Sequence, residues 1–485
     1  MSQPQKRSEP RRRESAFTQT KRKQGVRRPA AEERPVRQTR QVKQTGQTQA
    51  RQVAKTKSSE PRRQKPPKKA MSAQQKRRIL SIALAALLLI AVLALAIFGI
   101  RSCSNKKADN GGKDAAVSSE QKNSGLVTGK PAEATLLSSG DYLIHKEIFT
   151  NVQTGSGSWD FDSIFSNVKD EISAADYAIC NFEFAITEGT NYNFYPHFRL
   201  PAATADALKN AGFDFLVTAN NHCGDDREDG LYRTVKILRD KGFKTTGTFE
   251  KPDEKKYAVV DVNGIKIGIV NYTFGTIDDQ GLKALNGNAP LDANASQCVN
   301  VFQNEKLDQL YSELEQITKA MKKDGAEATI AYMHWGNEFQ LSQTPVQEEI
   351  AQKLCDLGYS AVIGGHPHVI QPAAVLTSDS GNRTFCIYST GNLVSNQRRE
   401  YMSASPNGYT EDAIFVYTTF KRDNDGKVTL TKVDYTPLWM DKYGANGRQN
   451  YRLEPCKGDS LTASQQSSKN RTDGLVAEGF RAWNQ

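Results

Sequence analysis

The sequence predicts an α/β fold: a layered sheet core covered by helices, preceded by a disordered basic tail and one transmembrane helix. Three observations predict it. Strand-like and helix-like runs alternate from about residue 134 to about residue 455 of the 485. Each chemically loaded motif directly follows a strand-like run, which in such folds places the site at the C-terminal strand ends. All six histidines, His145, His197, His222, His334, His366 and His368, fall inside those motifs.

The N-terminal segment comes first. Residues 1–78 hold 25 Lys and Arg against 5 Glu, a net of +20, while the remaining 407 residues carry a net of −9. The overall +11 therefore belongs to the tail alone. The tail is nearly free of aromatic side chains and cannot bury a core, so it reads as disordered and cytoplasmic. Its charge suits contact with anionic lipid headgroups. Nothing in it forms a folded nucleic-acid recognition module, so a nucleic-acid partner is not expected.

Residues 79–100 are uninterrupted by charge. At 1.5 Å per residue they span about 33 Å, enough for a hydrocarbon core of roughly 30 Å. The run is too long and starts too late for a cleaved signal peptide, and no Ala-x-Ala site follows. Arg101 and Ser102 directly precede Cys103, which argues against a lipoprotein cysteine. Lys76, Arg77 and Arg78 flank the run on its N-terminal side, so the tail is expected inside and the rest outside the cell. Residues 101–133, rich in Ser, Asn, Lys and Gly, read as a flexible linker with a reach of roughly 30 Å.

All seven cysteines lie beyond the apolar run, and none forms a Cys-x-x-Cys pair. The odd count excludes complete intramolecular pairing. Cys180, Cys355 and Cys386 sit in apolar patterns as buried thiols. Cys223 adjoins His222 and is weighed as a metal sensor.

Residues 134–455 form the predicted globular domain, with 456–485 as a C-terminal tail. The expected strands are 134–138, 176–180, 213–218, 328–333, 360–363 and 385–388. Thr344, Pro345 and Gln347 make a capping box with proline at the first helical position, and Gly358 ends that helix. Leu307, Leu310, Leu314, Ile317 and Met321 mark a longer helix over about 304–323. Residues 411–421 and 428–436, parted by Asp423 to Gly426, read as a closing hairpin.

The motifs supply metal ligands. Asp141 and His145 come from one loop, Glu183 from a second, Asn221 from a third, His334 from a fourth, and His366 and His368 from a fifth. That is too many donors for one tetrahedral ion. It suits two divalent ions, Mn, Zn or Fe, sharing one carboxylate, with Glu183 as the natural bridge. His222 is then the candidate proton donor to a leaving group, oriented by Asp225. Singly, each motif has a plain structural account: a turn at Gly140-Asp141, a rigid turn at His366-Pro367-His368, a helix cap at Asn221.

Substrate contacts are proposed from His197, Arg199, Glu338 and Asn392, which all sit beside a motif. Glu338 and Asn392 alternatively support His334 and its loop. Arg199 either grips a carboxylate or phosphate or makes a surface ion pair.

The segments GDYLIH (140–145), NFEFAIT (181–187), YPHFRLP (195–201), TANNHCGDD (218–226), VNYTFGT (270–276), HWGNEF (334–339), GYSAVIGGHPHVIQP (358–372) and YSTGNLVSNQ (388–397) resemble the capsule-synthesis CapA family. These proteins, also called poly-γ-glutamate biosynthesis proteins, share a variant of the calcineurin-type metallophosphoesterase fold. Glu183 stands where phosphoesterases usually carry Asp, although Glu is normal for CapA-like chains, and the chain departs from that pattern in two further places. The residue pair Asp141 and His145 is spaced more widely than Asp-x-His, and Arg227 stands where a glycine is expected. The resemblance implies a membrane-anchored, extracytoplasmic component of capsule or poly-γ-glutamate-type polymer synthesis. One reading is a hydrolase or transferase acting on an anionic envelope polymer or its precursor. The other is a non-catalytic polymer-binding or export subunit with structural metals. Membrane lipid and other capsule-synthesis membrane proteins are the expected partners.

Overall fold

The computed structural model describes residues 130–405, 407–445 and 447–485. The expected tail, the apolar run 79–100 and nearly all of the linker lie outside the described residues. Among the described residues, no helix is long and apolar enough to cross a membrane.

The chain builds strands β1 (Ala132–Tyr142), β2 (Tyr177–Phe182), β3 (Phe215–Val217) and β4 (Lys244–Thr246) of a first sheet. It then builds a second sheet from β5 (Ala258–Val262), β6 (Ile265–Phe274), β7 (Val301–Phe302), β8 (Ala328–His334), β9 (Ala361–Gly365), β10 (Ala373–Thr377) and β11 (Arg383–Ile387). It returns to the first sheet with β12 (Asn392–Val394), β13 (Asp412–Arg422), β14 (Val428–Ala445) and β15 (Arg448–Pro455). The first sheet runs β15-β14-β13-β1-β2-β3-β4, with β12 also on β1; the second runs β7-β6-β8-β9-β11-β10, with β5 on β6.

Period-two alternation explains how each strand serves two cores. Leu136, Ile179, Phe215 and Val217 of the first sheet share one buried cluster with Ile267, Ile330, Tyr332, Ile363 and Ile387 of the second. Their neighbours face outward. Leu137, Ala178, Cys180 and Leu216 share a cluster with Ile148 of helix α1 (Lys146–Asn151), with α2 (Ala203–Ala211) and with Leu238 of α3 (Arg227–Asp240). Ala331, Met333, Val362 and Cys386 meet α4 (Leu307–Lys323) and α5 (Pro345–Asp356). The result is the layered α/β architecture, helix on sheet on sheet on helix.

The capping box is present: the Thr344 side chain accepts from the Gln347 amide while Gln347 reaches back to the Thr344 amide. The expected hairpin is β13 and β14, paired antiparallel from Asp412↔Trp439 to Arg422↔Val428.

Residues 456–485, read as a tail, instead carry helix α6 (Ala463–Asn484). Its Val476, Phe480 and Trp483 join the cluster between the sheets. The Phe480 ring lies 4.8 Å from Phe385 and 4.6 Å from Tyr435. Arg471 donates to both oxygens of Asp412 at 2.6 Å. A segment whose first half is almost wholly polar conceals its apolar stripe in the second.

Candidate metal and catalytic site

The strands deliver the motifs to one place. Asp141 lies near the end of β1, Glu183 just past β2, and His334 closes β8. Asn221 and His222 follow β3, and His366 and His368 follow β9. Register brings them level: Asp141 pairs with Asn181 on one side and Asn392 on the other, and His334 pairs with Gly365.

Two glycines allow the close approach. A Cβ on Gly140 would sit 1.9 Å from the Gly391 carbonyl oxygen, and one on Gly365 would sit 2.7 Å from Asp141 Oδ1. His366 and His368 take φ of 93° and 58°, a left-handed backbone that non-glycine residues seldom adopt. Each such residue costs of order 1–3 kcal/mol, and such outliers gather at functional sites.

Asp141, Glu183, Asn221, His334, His366 and His368 are all buried. Two sets of potential ligand atoms lie within 4.8 Å of one another: Asp141, Glu183 and His334, and Glu183, His366 and His368. Glu183 belongs to both. Asn221 Oδ1 lies 2.7 Å from His334 Nε2, beside the first set. Glu183 Oε1 and His366 Nδ1 are buried without a hydrogen-bond partner. Orphaned polar atoms of this kind are rare in folded proteins. Here both are metal-ligand atom types in one cluster, so the residues fit divalent cations.

Electrostatics agree. Burial works to raise the Asp141 carboxyl, but its hydrogen bond with His368 and the charge of His334 hold it below the usual range. Burial works to lower His368, yet Asp141 and Glu183 lift it to about 9. Two buried carboxylates thus demand a positive charge at this point. Burial, with His334 and His368 nearby, drives His366 well below its ordinary value and leaves it neutral, as a ligand must be.

His222 is separate from both ligand sets. Its Nδ1 lies 2.7 Å from Asp225 Oδ2. The carboxylate is itself clamped: Oδ2 accepts from the Phe198 amide at 2.6 Å and Oδ1 from Asn286 Nδ2 at 3.1 Å. His222 also borders an open cleft.

The other candidates divide. His145 stands outside both ligand sets: its Nδ1 accepts from the Asn396 amide at 3.2 Å, and its ring packs edge-on against Phe198. Burial lowers it to about 3, so it faces the cleft uncharged. The wide spacing from Asp141 carries it past the ligand cluster. Arg199 is engaged with Asp226 at 3.2 Å, so its surface ion-pair role prevails over an anion clamp. His197 Nδ1 lies 3.5 Å from Asp225 Oδ1, beside the His222–Asp225 pair. Asn392 holds His368, with Oδ1 3.0 Å from its Nδ1, and is a positioning residue. Glu338 is exposed and lines the cleft. Cys223 belongs to neither ligand set, and burial pushes its thiol up to about 12, so the sensor reading has no support. Arg227 adopts φ of 57°, the backbone a glycine would take freely.

Asn181 and Asn220 are central and were missed by sequence reasoning. Asn181 Nδ2 donates to Asp141 Oδ1 at 2.7 Å and lies 3.3 Å from His334 Nδ1. Asn220 in turn donates to Asn181 Oδ1 at 3.1 Å. For Asn181 the available signal was an asparagine inside a buried strand, where that residue type is depleted.

The sequence pattern of the family described as bacterial capsule synthesis protein PGA_cap matches residues 135–397. Capsule biosynthesis protein CapA of Bacillus anthracis is 29% identical over 244 residues, covering 49% of this chain and 54% of that protein. PGA biosynthesis protein CapA of Bacillus subtilis (strain 168) is 27% identical over 283 residues, covering 56% of this chain and 65% of that protein. The match thus spans between half and two thirds of those relatives' own lengths. A solved structure from Thermus thermophilus, that of the protein TT1561, aligns with a TM-score of 0.30 and 8% identity over 62% of this chain and 97% of its own, which supports no argument.

Proposed function

This chain belongs to the bacterial capsule synthesis family of the CapA proteins, and from that premise we propose that it is a membrane-anchored, extracytoplasmic hydrolase or transferase with a metallophosphoesterase-type site. It acts on an anionic envelope polymer of the poly-γ-glutamate type, or on a precursor, alongside other membrane proteins of capsule synthesis. One observation carries the catalytic part: Glu183, with a buried unpartnered oxygen, is common to two ligand sets beside a His222–Asp225 pair.

Asp141, Glu183, His334 and Asn221 would hold one divalent ion, and Glu183, His366 and His368 the other. The ions would supply Lewis-acid polarisation of a phosphoryl or carbonyl oxygen and a nucleophile at neutral pH. Asp225 takes the hydrogen bond from His222 Nδ1, fixing the ring and leaving Nε2 to pass a proton to the departing group. Asn181 and Asn392 hold Asp141 and His368 in place.

Elemental analysis of the full chain, purified in detergent, tests this. Two equivalents of Mn, Zn or Fe are expected, with His366→Ala keeping one and Glu183→Ala keeping none. Thermal stability should fall with occupancy, because ions that bind only the folded state stabilise it. A protein with no such metal, and with melting unchanged by chelation, would refute the metal reading. Two bound ions without hydrolysis of p-nitrophenyl phosphate esters would favour the non-catalytic polymer-binding subunit.

A further inference from the structure

A cleft of about 410 Å³ opens directly onto the candidate site, with His222 and His368 in its wall. Its composition is unlike that of a groove for a polyanion. Glu147 and Glu338 line it, and no Lys or Arg does. Lys442 backs the Tyr401 wall, its Nζ 2.6 Å from the Tyr401 hydroxyl, 4.7 Å from the ring centre and 3.8 Å from Glu400. His145 is neutral there, as burial holds it near 3. A chain of carboxylates entering this cleft would meet Glu147 and Glu338 as like charges, which disfavours the polymer of the proposed function relative to its precursor.

The rest of the lining is aromatic. Phe198 and Phe339 form part of the wall, and Tyr195 and Tyr401 stand at 78% and 57% exposure. These two tyrosines are the exposed large hydrophobic residues of the described chain, and both fall on this one cleft. Tyr401 already holds the Lys442 ammonium over its ring, which leaves Tyr195 as the exposed ring beside the site, and exposed apolar surface there marks a binding surface. Ring faces carry negative quadrupole density and attract an ammonium group. Carboxylates do the same with greater strength.

The cleft and the ligand cluster therefore differ in sign once cations are bound, the cluster attracting an anion and the cleft a cation. We propose that the cleft selects substrate by an ammonium group, held by Glu147 and Glu338 against the Tyr195 and phenylalanine rings. The substrate then carries an amine close to the anionic group that reacts at the cluster. The anionic half of this statement rests on the proposed metal site; the amine half does not.

Calorimetry on the full chain in detergent, with Mn²⁺ present, distinguishes the two halves. The probes are phosphoethanolamine, ethyl phosphate, glucose 1-phosphate and ethanolamine. Phosphoethanolamine is expected to bind about tenfold more tightly than ethyl phosphate. Glu338→Gln and Glu147→Gln, both at exposed positions, should each reduce that difference, with melting temperature unchanged as a control on folding. If ethanolamine alone binds and no phosphate does, the metal-site reading fails and the cleft assignment stands. If ethyl phosphate matches phosphoethanolamine, the assignment is overturned. If glucose 1-phosphate binds tightest of all, the cleft is a neutral sugar site and the assignment is likewise overturned.

Discussion

Asn221 and His222 are adjacent in sequence and turned to different tasks. Asn221 Oδ1 meets His334 Nε2 at 2.7 Å, while His222 Nδ1 turns to Asp225 at the same distance. His222→Ala should therefore keep both metals and substrate affinity while losing about 10²–10⁴-fold in turnover, the usual contribution of general acid–base catalysis. Asp225→Asn should lose less, since it orients the ring without transferring the proton. A kcat/KM loss shared equally by kcat would place the effect in the transition state. Normal turnover and normal polymer output from a metal-loaded His222→Ala protein would remove the catalytic role. Most of this site was legible because each donor type stands alone after its own strand. Asp141, Glu183, Asn221, His334, His366 and His368 came from that logic and converge in the structure. What stayed hidden was the support. Asn181 bonds the ligand Asp141, Asn220 bonds Asn181 and Asn286 bonds Asp225, and of the three Asn181 alone carried a signal, as an asparagine in a buried strand. His145 departs from expectation in the other direction, standing outside both ligand sets, while Arg199 takes the ion-pair alternative with Asp226.

Elements were legible in proportion to their periodicity. Strands buried on both faces read as short apolar runs, and β8 and β9 begin and end within two residues of expectation. Helix α5 announced itself through its capping box. Helix α6 did not, because Ala463–Asn470 holds seven polar residues and its contact with the core rests on Val476, Phe480 and Trp483. Gly479 is the point of closest approach: a Cβ there would sit 2.1 Å from the Ala373 carbonyl oxygen. Gly479→Ala improves helix propensity by up to about 1 kcal/mol. The clash opposes this, since overpacking of a close contact costs typically 1–3 kcal/mol. Backbone stands on the far side of the contact and cannot swing away, so the clash should win. Net destabilisation of about 1 kcal/mol is expected in urea unfolding. A Gly479→Ala protein more stable than its parent would mean that α6 does not dock as described.

At the scale of the whole molecule, charge separates along the chain. The first 78 residues carry +20 and the remaining 407 carry −9, with the uncharged run 79–100 between the two regions of opposite charge. Among the described residues no helix is long and apolar enough to cross a membrane, and the proposed anchor is that run. On the proposed topology the basic cluster stays inside, because Lys and Arg flanking an apolar helix resist export. Attraction to anionic lipid, worth about 1 kcal/mol per basic residue near the surface, acts in the same direction. Protease added to intact protoplasts should then cut in 101–129 and release the folded part, leaving an epitope on residues 1–78 protected. The released fragment should keep its metals, since every proposed ligand lies between Asp141 and His368. Protection of the folded part together with digestion of the basic segment would invert the orientation. The site would then face the cytoplasm, and a role on a polymer outside the membrane would no longer follow.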